Sequence, residues 1–175
     1  MISTQGGKKE EVFRRNVCAV GGAELFWGLG FPIVLESTFL QVFLKNLGAS
    51  DLMVGLVPSI FIFCSSCFPV FASFLTRNMV SRRGIVFILH LLPSLAILIF
   101  GCLMLVVPVS YYLLLFFMSY LLFSISIGLA IPVWFNYLAS IFPESKTVRG
   151  LGFMMLSQNI GKVIFSFFIL DIVKR

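Results

Sequence analysis

Charged residues are scarce in this chain. Asp, Glu, Lys and Arg make up 11% of its 175 residues, whereas ordinary soluble domains contain roughly a quarter. Hydrophobic residues make up 59%, and they lie in continuous blocks longer than the roughly 18 residues that distinguish a membrane span from a buried helix. This composition excludes a soluble domain and predicts a multi-pass protein of the cell membrane, with the lipid bilayer as its main partner.

Catalytic and ligand-binding motifs are also missing. The sequence has a single histidine and contains no HExxH, GxSxG or phosphate-binding loop. All four cysteines lie in apolar blocks, where free cysteine packs as a small hydrophobic residue. We therefore expect no enzyme activity, no metal and no cofactor. The net charge of +6 does not indicate nucleic-acid binding, because the basic residues are spread over the ends of the apolar blocks.

The apolar blocks predict an all-α integral membrane fold with about five transmembrane helices. A polar tail, 1–15, is followed by a transmembrane domain, 16–175. Four glycines and Pro32 interrupt the first span, which predicts a pliable or broken helix there. The predicted spans are 16–44, 52–76, 84–107, 110–137 and 150–172.

Lys and Arg in the connections predict the orientation, because short loops rich in these residues stay in the cytoplasm. Nine of them lie on the side of the N-terminus: Lys8, Lys9, Arg14, Arg15, Arg77, Arg82, Arg83, Lys146 and Arg149. Three lie on the other side: Lys45, Lys174 and Arg175. The N-terminus is therefore expected in the cytoplasm and the C-terminus outside. Two of the three opposing charges are the last two residues, as expected of a chain cut short.

Three ionisable residues lie inside the predicted spans, where each costs at least about 2.5 kcal/mol on insertion scales. Glu24 and Glu36 lie on either side of the midpoint of the first span, and Lys162 lies near the middle of the fifth. A glutamate could contact Lys162. Burial could make Glu24 a proton carrier, whereas Glu36 could be solvated at the outer interface. Trp27, three residues after Glu24, could line the same path or simply pack.

A polar stripe marks the fifth helix. Gln158, Lys162 and Ser166 recur every four residues on one side of this helix, and Asn159 lies about 100 degrees from Gln158. One interpretation is a water-filled substrate path, in which Lys162 attracts an anionic group. The other is a set of structural ion pairs or hydrogen bonds between helices.

Three segments, FLTRNMVSRRG, FPESKTVRGLG and LGASDLMVGL, resemble the major facilitator superfamily (MFS) of secondary transporters. The resemblance extends over essentially the whole chain. In that family, basic residues and an Asp mark the cytoplasmic loop between the second and third helices. Arg82 and Arg83 match its closing basic pair, and Asn78 stands where the family has the Asp. Arg149 and Gly150 match the basic loop that leads into the fifth helix.

The resemblance implies transport of a small-molecule substrate by alternating access, with the matched loop residues taking part in gating. A complete member has two six-helix halves with the substrate path between them. The chain is therefore interpreted as an N-terminal half whose partner would be a missing C-terminal half, with a proton as the candidate coupling ion. The first, fourth and fifth helices would present polar residues to the central cavity.

Two other classes of function are left open by these residues. One is a membrane assembly or scaffold protein, or a truncated transporter remnant, without transport of its own. The other is a membrane-embedded lipid-modifying enzyme, which the lack of a catalytic cluster disfavours. The depth and direction of Glu24 and Lys162 distinguish transport from the scaffold, since two side chains that point into one polar cavity favour transport, whereas two that face each other in a dry contact favour a structural role.

Overall fold

A computed structural model describes residues 2–35, 37–76 and 82–173. Over these residues the chain forms helices and no strand. Short 3₁₀ turns, Val109–Tyr111 and Glu144–Lys146, lead into the last two long helices. The α-helices are α1 (Ile2–Val34), α2 (Ser37–Asn46), α3 (Asp51–Thr76), α4 (Arg82–Met104), α5 (Tyr112–Ile141) and α6 (Thr147–Val173).

Among the described residues, five helices are long and apolar enough to span a bilayer, and the predicted all-helical fold with about five such helices is confirmed. Many large apolar side chains on these helices are exposed, including Phe26, Phe74 and Leu98. Soluble monomeric proteins rarely expose so much apolar surface, so these side chains suggest a membrane protein in which they contact lipid. The candidate spans are Lys9–Val34, Asp51–Phe74, Arg83–Met104, Val109–Ile141 and Glu144–Phe168.

The beginning of the chain differs from the expectation. The described part of the predicted tail, 2–15, belongs to α1, and the described residues of the predicted first span, 16–44, are divided between α1 and α2. α1 is continuous through the glycines, and the interruption follows Val34, two residues after Pro32. Glycine weakens an isolated helix, but α1 packs along α6, and tertiary packing supplies most of the stability of a helix. The other four long helices begin and end within four residues of the predicted spans.

The chain forms two compact units. The terminal unit comprises the described residues within 1–40 and 138–175, and the central unit comprises those within 41–137. In the central unit, a Cβ at Gly128 would overlap with the main-chain carbonyl of Cys64. Small residues allow membrane helices to approach closely, so Gly128 permits α5 to lie directly against α3. Ala72, Val86 and Val133 form a buried cluster there.

Candidate functional site

Glycines allow α1 and α6 to pack closely in the terminal unit. A Cβ at Gly28 would overlap with the main-chain carbonyl oxygen of Gln158, and a Cβ at Gly161 would overlap with that of Leu25. About two turns before Gly28 on α1, a Cβ at Gly21 would lie 2.5 Å from Cε1 of Phe153. Side chains at Gly28 or Gly161 would therefore force the two backbones apart, whereas a side chain at Gly21 would displace the ring of Phe153. This close packing is the frame that positions the polar residues.

The contacts also give the direction of the two helices. Gly21 lies against Phe153, and Gly28 lies further along α1 against Gln158, which is further along α6. Because the contacts advance in the same direction along both helices, α1 and α6 run parallel. If successive spans alternate in direction, the first and the fifth span run the same way. The parallel packing therefore agrees with a chain of five crossings.

A buried polar contact in the terminal unit joins Glu24 to Gln158. The Nε2 amide of Gln158 donates a hydrogen bond of 2.8 Å to Oε2 of Glu24. Glu24 is 5% exposed, and Ser157, the neighbour of Gln158, is 8% exposed. A carboxyl group buried between two apolar helices is costly unless it is hydrogen-bonded. The amide of Gln158 supplies one such bond.

The other residues of the predicted polar stripe lie beside this contact. Lys162 is half-buried one turn beyond Gln158, and the hydroxyl of Ser166 donates a 2.8 Å hydrogen bond to the main-chain carbonyl of Lys162. Ser166 therefore satisfies its hydroxyl within its own helix. Trp27 is half-buried, and Asn159 is exposed.

A second polar cluster ties the start of α1 to the connection between α5 and α6. Lys146 forms an ion pair with Glu10, and its ammonium lies 5.1 Å from the ring centroid of Phe13. The ring of Phe13 packs edge-on against Phe142, with the centroids 5.8 Å apart. The side-chain amide of Asn16 donates a 3.1 Å hydrogen bond to the main-chain carbonyl of Ile141. These contacts explain why α1 continues into the predicted tail.

The loop residues selected by the MFS resemblance fall in different settings. Gly150 is buried, and a Cβ there would lie 2.7 Å from the ring of Phe142, so this glycine admits a close contact at the start of α6. Arg149 and Arg83 are exposed. Asn78 and Glu36 lie outside the described residues, as does the side chain of Arg82.

In the central unit, the single histidine of the sequence has structural partners. Nδ1 of His90 lies 2.8 Å from the main-chain carbonyl oxygen of Val86, and its ring packs edge-on against Trp134 with centroids 4.8 Å apart. One ring nitrogen of His90 is therefore occupied by the preceding turn of its own helix, and the ring packs against the indole of Trp134.

Several residues of these two clusters were not predicted from the sequence. Nothing in the sequence distinguishes Ser157 from the other serines. Its burial follows from its position opposite Gly21. Glu10 lies in a charged run with Lys8, Lys9 and Glu11, which gives no sign that Glu10 contacts Lys146. The ion pair joins residues that are far apart in the sequence, and periodicity carries no information on such pairs.

No protein-family model, characterised protein or solved structure matches this chain.

Proposed function

We propose that this chain is a facilitator-type secondary transporter unit that moves a small solute, with the polar residues of α1 and α6 lining a water-filled path. The observation that carries the proposal is an ionisable group, the carboxyl of Glu24, held inside a candidate span by a hydrogen bond from Gln158 of α6. Its burial between two closely packed helices is a feature that a scaffold would share. Ionisable residues at membrane depth are rare and usually belong to substrate paths or proton relays. The resemblance of the loops to the MFS adds to this proposal.

The chemistry of the Glu24 and Gln158 contact suits proton coupling. Ionised Glu24 is an acceptor, and the NH₂ group of Gln158 donates to it. A protonated Glu24 would carry an O–H donor, and Gln158 also has a carbonyl oxygen that can accept it. One contact can therefore serve both protonation states without leaving a buried polar group unpaired. Such a pair can gain and lose a proton while the helices stay packed.

Lys162 gives the path a preference for anionic solutes. It lies one turn beyond Gln158 on α6, half-buried in the same unit. A lysine at this depth attracts a carboxylate or phosphate group, because opposite charges interact strongly where water is scarce. We therefore take small anions as the first solutes to examine.

The orientation and the partner belong to the same proposal. Because nine basic residues lie on one side and three on the other, the N-terminus is assigned to the cytoplasm. Alternating access requires a second helical half that rocks against this one, so a C-terminal half is the assigned partner.

A flux measurement tests the proposed function. Vesicles are prepared from host cells that carry the chain and from cells in which its gene is deleted, and uptake of radiolabelled small carboxylates, sugars and amino acids is followed under an imposed pH gradient. We expect uptake of one solute class to depend on both the chain and the gradient. Equal uptake in the two vesicle preparations for every solute would favour the scaffold function instead.

The orientation has its own test. An epitope is placed before Met1, and intact and permeabilised cells are stained with the same antibody. We expect staining only after permeabilisation, because the basic residues near the start of the chain hold that end in the cytoplasm. Equal staining of intact cells would reverse the assigned orientation.

A further inference from the structure

A groove of about 510 Å³ runs between α1 and α6 at the end of the terminal unit where α1 begins. Its charged end is formed by Arg14, Arg149 and Glu10. We call it the Arg14/Arg149 groove. Its volume lies within the range of roughly 300–1,000 Å³ that is typical of sites for small ligands.

The charged end of the groove is positive overall. Both arginines are exposed, and the side chain of Arg14 retains 80% of its accessible surface. Glu10 is the opposing charge, and it forms ion pairs both with Lys146 and with Arg14, whose Nε lies 3.7 Å from Oε1 of Glu10. One carboxylate therefore faces three basic side chains, Lys146, Arg14 and Arg149, and this end of the groove keeps a net positive charge. Arginine binds phosphate oxygens through two parallel N–H donors.

The remainder of the groove is apolar and follows the helices into the candidate spans. Val17 and Cys18 lie one turn beyond Arg14 on α1, and Gly152 and Phe153 lie one turn beyond Arg149 on α6. Leu156 continues the wall for another turn, roughly 10 Å from Arg149 along the axis of α6. Since Gly152 has no side chain, the wall on α6 recedes at this point. The groove is thus charged at one end and apolar along its length.

We propose that the Arg14/Arg149 groove binds one anionic phospholipid. The headgroup phosphate lies between the two guanidinium groups, and an acyl chain occupies the groove past Gly152. Basic sites between membrane helices attract anionic headgroups, and the apolar walls match an acyl chain where a free phosphate would leave them empty. This proposal concerns a lipid site at the start of α1 and does not depend on transport.

Binding of two named lipids to the purified full chain tests the headgroup contact. The chain is purified in detergent and titrated with palmitoyl-oleoyl-phosphatidylglycerol or with the matching phosphatidylcholine, and native mass spectrometry counts the bound lipids. We expect one phosphatidylglycerol per chain and weaker phosphatidylcholine binding. Arg14→Gln with Arg149→Gln should weaken phosphatidylglycerol binding by about 30-fold, from the typical contribution of two basic residues near a headgroup.

The matched control removes the same charge elsewhere. Arg15→Gln with Arg83→Gln also deletes two exposed arginines, and neither of these lines the groove. We expect this control to keep the affinity for phosphatidylglycerol within about twofold, which is a small free-energy change. Equal loss in the control and in the groove variant would mean that net charge alone attracts the lipid, and the site would be rejected. Equal binding of the two lipids would also reject it.

A second variant tests the acyl chain. A Cβ at Gly152 meets no atom within 4 Å, so Gly152→Leu can fill the groove without disturbing the helices. We expect it to abolish saturable phosphatidylglycerol binding although both arginines remain. Gly30→Leu, at another open glycine, is the control. Unchanged binding in Gly152→Leu, or displacement of the lipid by equimolar glycerol phosphate, would show a free-anion site and overturn the assignment.

Discussion

Gly28→Leu is expected to separate α1 from α6 and to produce the largest loss of stability of any single substitution considered for this chain. The reason is steric, since a Cβ at Gly28 would overlap with the main-chain carbonyl of Gln158. Overpacking usually costs about 1–3 kcal/mol and sometimes more. A clash with backbone cannot be relieved by a change of rotamer, so the cost should reach at least about 3 kcal/mol.

Gly30→Leu is the matched control for this prediction. Gly30 lies on the same helix, it is exposed, and a Cβ there meets no atom within 4 Å. Thermal unfolding of both variants in detergent, followed by tryptophan fluorescence and by elution on gel filtration, provides the comparison. We expect a lower melting temperature or aggregation for Gly28→Leu and wild-type behaviour for Gly30→Leu. Wild-type stability of Gly28→Leu would contradict the close packing of α1 against α6.

Glu24→Gln is expected to abolish gradient-driven uptake while it leaves the fold intact. Glutamine has nearly the shape of glutamate, and its carbonyl oxygen can accept the hydrogen bond that Gln158 donates. It cannot gain or lose a proton. Uptake should therefore fall to the level of vesicles that lack the chain, with melting temperature close to that of the wild type.

Glu144→Gln is the control for proton coupling, because Glu144 is exposed in the connection before α6. It should transport like the wild type. Glu24→Leu removes the acceptor as well as the charge, so it should also lower stability by about 1 kcal/mol. Wild-type uptake by Glu24→Gln, with reduced stability of Glu24→Leu, would contradict proton coupling and leave Glu24 as a structural residue.

The long apolar helices were predictable from the sequence because the bilayer imposes a minimum length on each span. The candidate polar residues were predictable for a related reason, since an ionisable group in an apolar block is conspicuous. Glu24 and Gln158 were both selected in this way, each on its own helix. The hydrogen bond between them was not predicted, since the sequence indicated only that a glutamate could contact Lys162.

The pairing of α1 with α6 was not predictable, because it depends on backbone approach. Gly28 and Gly30 look equivalent in the sequence, yet a Cβ at one would meet the backbone of α6 and a Cβ at the other would meet open space. The sequence predicted a pliable or broken helix from the glycines and Pro32; α1 ends at Val34, soon after Pro32, and is continuous through the glycines. Their effect on the isolated helix is visible in the sequence, whereas their contact with a helix more than a hundred residues away is not.

Water access along α6 shows directly whether the polar side of this helix lines an aqueous path. The four native cysteines are replaced by alanine, and single cysteines are introduced at Gln158, Lys162, Val163 and Phe167. Each variant is treated in host-cell membranes with a membrane-impermeant methanethiosulfonate reagent. Val163 and Phe167 are the controls, because they are apolar and 58% and 70% exposed, as lipid-facing positions would be.

We expect reaction at Gln158→Cys and Lys162→Cys and no reaction at Val163→Cys and Phe167→Cys. Protection at all four positions would mean that the polar side of α6 makes a dry contact. Reaction at all four would mean that the side of α6 that carries Val163 and Phe167 does not contact lipid. Either result would contradict an aqueous path along the polar side of α6.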